Sequence, residues 1–497
     1  MLTVFALACS RPEGPQGIQG PQGLKGDAGS QGITGVAGPA GPQGPQGDQG
    51  PQGVAGKDGA DGVEGPAGPQ GPQGVAGKDG ADGVEGPKGD AGSQGIAGVA
   101  GKDGADGEPG VEGPQGIPGV ESPAGATGPT GHAVVRNVPS ENVITTLDSD
   151  GVVGYYTSIT IGADGLGLIS YYDLTNEDLK VAHCQNTACT SATTSTIDST
   201  GPVGGYTSIT IGADGLGLIS YWDSTNSDLK VAHCDDAACT SATTSTIDST
   251  GNVGDYTSIT IGADGLGLIS YYDVTNPELK VAHCDNTECT SATTSTLAWG
   301  GRLGRYTSIA IGLDGLGLIS YRDSNSGDLK VAHCDDAACT SATLSALDSD
   351  GDVGYTSITI GADGLGLISY DEYDDGTNNL KVAHCDDAAC TSATTSTLDS
   401  TGNVGFYTSI TIGADDLGLI SYYDSTNGDL KVADCQNTAC TSATTSTIDA
   451  DGDVGWHTSI TIGLDGLGLI SYHDVTNGVL KVAHCENTFC SPYFRRR

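Results

Sequence analysis

Large side chains are scarce in this sequence. Methionine occurs once in 497 residues, tryptophan three times and phenylalanine four times, which excludes the composition of an average globular domain. Basic residues are scarce too: 20 Lys and Arg face 62 Asp and Glu, a net charge of −42. Nucleic acid and anionic lipid are recognised by clustered Lys and Arg, so neither is a natural partner. No run of about 18 apolar residues is present, which excludes a transmembrane helix. No G-x-S-x-G, H-E-x-x-H or phosphate-loop pattern occurs either. What the chain has in excess is glycine, 79 residues, and it is distributed unevenly.

From Gly14 to Gly131 glycine fills every third position, 40 in register, with Ser122 the one exception. Only a triple helix needs that period, because nothing larger than Gly fits where three polyproline-like chains meet. The segment resembles the collagens of bacteria, and the geometry implies a homotrimer. At about 3 Å per residue its rod would be roughly 350 Å long. Thirteen prolines lie at X positions and only Pro109 and Pro118 at Y. Hydroxyproline at Y is therefore not the main stabiliser, and fixed φ at X lowers the entropy of the unfolded chain instead. Lys25-Gly26-Asp27 and Lys88-Gly89-Asp90 place opposite charges within reach of staggered neighbours. Ser122 reads either as a hinge or as a tolerated defect near the end of the rod.

Residues 1–13 read as the remnant of an export signal. In Ala6-Leu7-Ala8-Cys9 they resemble a bacterial lipobox, which implies lipidation at Cys9 and membrane attachment through that anchor alone; an ordinary truncated signal is the alternative. Residues 14–131 are the stalk, 132–142 a neck, and 143–497 a head. The stalk carries −9 and the head −33 of the net charge.

In the head a unit of about 50 residues recurs seven times. The first copy gives four short β segments, YTSITI (a), LGLISYYD (b), LKVAHC (c) and CTSATTSTID (d), separated by Asp-Gly and Thr-Asn turn signals. Four antiparallel strands repeated seven times fit a β-propeller. A d-like segment, VITTLDSDG (143–151), precedes the first a segment, and the last copy stops at Cys490-SPYFRRR without its own d. The displaced strand can complete the last blade and leave no open edge. The fold class is thus a fibrous collagen triple helix joined to an all-β, seven-bladed propeller closed by an N-terminal outer strand. The repeats resemble sialidase-like and related seven-bladed propeller repeats of bacterial surface proteins, but lack the S-x-D-x-G-x-x-W box of true sialidase blades.

Fourteen of the 15 cysteines form C-x4-C pairs: Cys184/Cys189, Cys234/Cys239, Cys284/Cys289, Cys334/Cys339, Cys385/Cys390, Cys435/Cys440 and Cys485/Cys490. Placed at the end of c and the start of d, across a four-residue hairpin loop, they read as disulfides and point to an oxidising compartment. The rival reading, a His-Cys-Cys metal site built on His183 and its counterparts, is disfavoured by Asp434 standing in for the histidine of copy six.

The copies differ mainly just before strand a and at the b–c turn. Tyr155, Gly205, Asp255, Arg305, Phe406 and Trp456 occupy the first place, Tyr172, Trp222, Tyr272, Arg322, Tyr423 and His473 the second. In an antiparallel blade both connections emerge on one face, so these residues are expected to form an exposed ligand-binding face, or to vary because nothing constrains them. Asp348, Asp350 and Asp352, like Asp449, Asp451 and Asp453, resemble the start of a calcium loop without its closing Glu, and Asx turns are the competing reading. No other cofactor is implied. Arg302, Arg305 and Arg322 all fall in copy four, unlike an arginine trio converging from several blades, and no catalytic residue stands out. The reading is a non-enzymatic extracellular or cell-surface fibre, tied to an outer membrane if Cys9 is lipidated, whose head binds glycan or protein. A purely structural coat component and, less favoured, a stalked glycan-acting enzyme are the alternatives.

Overall fold

A computed structural model describes residues 142–491. The leader with Cys9, the Gly-X-Y segment and most of the neck lie outside the described residues. The chain divides into two units, Met1–Arg136 and Asn137–Arg497.

The second unit consists of seven antiparallel four-stranded sheets. Blade 1 is built from Val153–Ile161 (a), Gly167–Asp173 (b), Asp178–Cys184 (c) and Ala192–Asp198 (d). Blades 2 to 6 repeat that order and begin at Val203, Val253, Leu303, Asp352 and Val404. Blade 7 supplies only a, b and c, and the N-terminal strand Val143–Asp148 pairs with Val479–His484 as its fourth. The one-strand offset legible in the sequence is therefore the closure of the ring.

Burial follows strand order. Strand b (GLISYYD in blade 1) is buried almost throughout, whereas the central Thr193, Thr194 and Thr196 of d are exposed. The a strands of successive blades meet around the centre, including those of blades 7 and 1. Apolar side chains fill each seam: Leu168, Leu179 and Val181 of blade 1 pack against Val203, Ile209, Ile219 and Tyr221 of blade 2. At about 1.5–3 kcal/mol for each fully buried Leu, Ile or Val, these seams dominate the stability of the ring.

Polar repeats explain the rest of the motif. Thr157 Oγ1 donates to Ser471 Oγ at 2.8 Å across the 7/1 seam, and Thr207 donates to Ser170 at 2.9 Å across the 1/2 seam. The same Thr–Ser bond recurs at the other five seams. Beside it the Ile209 N–H donates to Ser158 Oγ at 3.2 Å. The repeated Thr-Ser of strand a and Ser of strand b are thus inter-blade fasteners.

A third contact lies further out. Tyr171 and Lys180 of blade 1 both donate to Asp148 of the N-terminal strand, at 2.6 and 2.5 Å, and the ammonium sits 5.7 Å from the Tyr171 ring centre. Asp198, Asp248, Asp348, Asp399 and Asp449 receive the corresponding Tyr and Lys of the following blade. Burial works to raise these carboxyl pKa values, but the bonds from Lys and Tyr outweigh it, holding Asp148 below the ordinary carboxylate range and Asp399 down to about 2. Blade 3 ends in Ala298 instead, so Tyr321 has no partner for its hydroxyl and Lys330 turns to Asp323 at 2.6 Å.

Two expectations need correction. Strand a begins three residues earlier than YTSITI, at Val153. The second cysteine of each pair does not open strand d. Cys189, Cys239, Cys289, Cys339, Cys390 and Cys440 all lie before it, inside the loop, and Cys490 holds the same place after strand c of blade 7, whose fourth strand is Val143–Asp148; φ is between +48 and +53 in all seven. In each case the N–H turns back three residues: Cys189 donates to Asn186 O at 2.9 Å, Cys239 to Asp236 O, Cys289 to Asn286 O, Cys339 to Asp336 O, Cys390 to Asp387 O, Cys440 to Asn437 O and Cys490 to Asn487 O. The disulfides therefore join an inner turn, rather than a facing strand, to the end of strand c, with Cα atoms 4.8–4.9 Å apart in all seven pairs. The loop is wider than four residues because d starts only at Ala192, after Gln185 N–H has bonded to Ser191 O.

Candidate functional site

The extra length of strand a is a bulge. Val153 pairs with Asp173, Tyr155 with Tyr172 and Ser158 with Ser170, so strand a carries two more residues than its partner over this stretch. Gly154 opens the bulge at φ +92, where a Cβ would come within 3.0 Å of Leu480 Cα. Tyr156 follows at φ +53, in the left-handed region that bulky residues avoid. Tyr206, Tyr256, Tyr306, Tyr407 and His457 repeat that backbone at φ +52 to +55. Blade 5 lacks the residue equivalent to Tyr155, its bulge is one residue shorter, and Tyr355 reaches the same place without positive φ.

The bulge turns these seven aromatic side chains toward one another. Ring centres are 4.3–4.5 Å apart from Tyr156 through Tyr206, Tyr256, Tyr306, Tyr355, Tyr407 and His457 back to Tyr156. The centres lie on a circle of roughly 5 Å radius, tilted against each other as aromatic pairs prefer. Burial raises the phenol pKa of Tyr156 and lifts that of Tyr407 to about 12. His457 is pushed the other way, down to about 3, first by burial and then by neighbouring His473. These three therefore stay neutral at physiological pH. Backbone strain of order 1–3 kcal/mol per residue, repeated in six blades, marks this collar as something the fold holds deliberately. Sequence reasoning missed it, although the unvarying Tyr ahead of TSITI and its replacement by His457 were visible.

Around the collar stand the residues that differ among copies. They are not loop residues, as expected, but cross-strand partners at the ends of a and b: Tyr155 faces Tyr172, Gly205 faces Trp222, Asp255 faces Tyr272, Arg305 faces Arg322, Phe406 faces Tyr423 and Trp456 faces His473. Nor are they freely exposed. Tyr272, Tyr423 and His473 are buried, and Tyr155, Tyr172, Trp222, Arg305, Arg322, Phe406 and Trp456 are half-buried. Several b-strand members meet the next blade. His473 lies 4.3 Å from the Tyr155 ring, Arg305 lies 5.6 Å from the Tyr272 ring, Arg322 Nη2 donates to Asp352 at 2.6 Å, and Tyr423 donates to Asp453 at 2.7 Å. In blade 5 Asp371, 3% exposed, takes the Tyr355 N–H at 2.6 Å, and burial lifts its pKa to about 7.

The d–a and b–c connections do share one face, since Leu174 N–H donates to Val152 O at 2.8 Å. On the opposite face His183 Nε2 meets Asp164 Oδ2 at 2.7 Å beside the first disulfide, and five other blades repeat the pair. In blade 6 Asp434 replaces the histidine, and burial together with Asp415 lifts its pKa to about 6. Of the calcium candidates, Asp348 and Asp449 are held by Tyr and Lys. Asp350 N–H and Asp451 N–H donate back to them at 3.2 and 3.0 Å, in Asx turns. Asp352 and Asp453 are bonded to Arg322 and Tyr423. Among the described residues no group of three or more His, Cys, Asp or Glu side chains is placed to hold a metal ion.

The Gly-X-Y register has a counterpart among known families. Residues 11–73 match the family Collagen triple helix repeat (20 copies). Collagen-type repeats imply self-association into trimers. No curated protein matches the chain. Among solved structures, a protein of unknown function from Dyadobacter fermentans is 12% identical, with 70% of this chain and 98% of that one covered and a TM-score of 0.43. An α-L-arabinofuranosidase of Fusarium graminearum is 12% identical over 70% and 97%, with a TM-score of 0.45. The NanB sialidase of Streptococcus pneumoniae is 11% identical over 70% and 71%, with a TM-score of 0.40.

Proposed function

We propose that this protein is a non-enzymatic, extracellular adhesive fibre in which three chains wind through the collagen-like repeat and each carries a propeller head that attaches to a ligand-bearing surface. The observation that carries the reading is the joining, through a short neck, of a 40-position Gly register to a ring-closed head that carries seven disulfides. A long spacer and a rigid tip are useful together when binding is multivalent, because three weak contacts then act as one strong one. The disulfides support an oxidising compartment. The non-enzymatic part is supported by how the carboxylates are used: the repeated Asp148-type groups clasp blades and the Asp164-type groups cap turns.

The test uses the full chain. Sedimentation equilibrium is expected to give about three times the 49.8 kDa chain mass below the melting point of the repeat. The trimer is expected to adhere to cell surfaces at least roughly tenfold better than heat-dissociated monomer. A monomeric mass, or no difference in adhesion between the two forms, would overturn the reading.

A further inference from the structure

Seven near-identical blades provide an internal control. Most polar groups that the blades share are hydrogen-bonded in each of them, so a cluster of unpartnered ones marks a local difference. Among the described residues eight buried side-chain polar atoms lack a hydrogen-bond partner, and seven of them fall between residues 222 and 324, in blades 2 to 4. Tyr321 is explained by Ala298. The remaining six, Trp222 Nε1, Asn252 Oδ1, Asp255 Oδ1, Arg305 Nε, Arg322 Nε and Ser324 Oγ, all lie on the d–a/b–c face beside the collar. Blades 1, 5 and 6 have none. Left unpaired, each such group costs about 1–3 kcal/mol.

We infer that this sector of blades 2 to 4 is a saccharide-binding subsite centred on Trp222, Asp255 and Arg305, a reading that rests on the head being the adhesive end. The chemistry selects the ligand class. Two acceptors, the carboxylate of Asp255 and the amide of Asn252, stand among indole and guanidinium donors. Sugar hydroxyls both donate and accept, so one ligand satisfies both sets; a simple ion or an apolar molecule does not. Flat apolar surface is present in the same sector. The Trp222 ring centre lies 6.1 Å from that of Tyr206, and Gly205 opposite leaves the indole room to lie across the strand, since a Cβ there would come within 3.0 Å of it. Trp299, 72% exposed in the turn leading to blade 4, adds a second ring. Such rings stack on the C–H faces of pyranoses.

Two more observations agree with this placement. Arg305 and Arg322 stand directly opposite each other on paired strands, a like-charge pairing that costs stability; Asp352 takes Arg322 Nη2, and the Nε atoms of both are left without an acceptor. Burial lifts the Asp255 carboxyl to about 6 even with Arg305 close by, as befits an acceptor deprived of water. All six side chains are half-buried rather than sealed, so a rotamer change turns their polar atoms outward.

The experiment compares the full-length trimer with Asp255→Phe, which installs the residue that blade 6 carries at this place, with the near-isosteric Asp255→Asn, and with Leu464→Ala on the opposite face. Each is applied to an array of plant and bacterial oligosaccharides, and the melting of each head is read by calorimetry. The expected result is binding by the parent and by Leu464→Ala, and at least roughly tenfold weaker binding by both Asp255 variants. Asp255→Phe should melt no lower than the parent, because an unpaired carboxylate has been removed. Binding by the Asp255 variants within about twofold of the parent overturns the subsite. Silence of the parent on the array while it still adheres to cells overturns the saccharide assignment and leaves the adhesive reading standing; silence on both surfaces overturns both.

Discussion

Single residues carry much of what distinguishes one blade from another. Ala298 is the clearest case, since six seams have an aspartate where the 3/4 seam has a methyl group. Ala298→Asp should give Tyr321 its acceptor and draw Lys330 away from Asp323. Calorimetry or urea unfolding of the head is expected to show a gain of about 1–2 kcal/mol; equal or lower stability would mean that the 3/4 seam has repacked around the alanine. His457 makes a prediction about pH. Its folded pKa of about 3 lies below the unfolded value near 6.5, so its contribution to stability is present above pH 6.5 and is lost as pH falls toward 3, at no more than about 1.4 kcal/mol per pH unit. His457→Tyr, which restores the residue of the other six blades, should remove that slope. Comparing unfolding free energies at pH 7 and 4.5 in parent and variant checks it, and identical slopes would refute it. Asp371, whose folded pKa is raised to about 7, acts with the opposite sign, losing stability as pH rises from about 4 to 7, but it is common to both proteins and cancels.

At the scale of elements, the sequence spoke most clearly where it repeated and least clearly where it varied. Seven d-like segments displaced by one against seven a-b-c sets announced the closure, and C-x4-C announced the disulfides, because both are matters of counting. The start of strand a was hidden because Gly154 followed by a variable residue looks like a turn. It is a bulge, and only the pairing register with Asp173 and Tyr172 reveals that. Variation at the rim was mistaken for exposure. Tyr155, Arg305 and Trp456 differ because each meets a different neighbour across its seam, and a repeat array cannot vary one partner without the other. The closing strand makes the sharpest prediction at this scale. Deleting residues 143–148 should leave Val479–His484 as a bare edge and remove the acceptor of Tyr171 and Lys180. Gel filtration is expected to show association beyond the trimer, and calorimetry a broadened, lower transition; an unaltered sharp transition would show that the ring closes without it.

For the molecule as a whole, the stalk was legible from glycine spacing alone, since no other fold requires that period. The head was legible as a ring but not as a surface. Its central feature, the collar, arises from seven copies of one aromatic position converging, and no single repeat contains that information. The orphaned polar groups of blades 2 to 4 are likewise invisible in any one copy, because they are defined by what the other blades supply and these do not.

The strand that closes the ring is also the point at which the preceding chain enters the head. A pull on the chain ahead of Val143 would act first on the end of the ladder where Val143 pairs with His484, while the Asp148 clasp to Tyr171 and Lys180 sits at the other end. Tether and latch are one element. Peeled from that end, the strand would lose its backbone ladder before its buried ion pair, and losing the strand would open the ring.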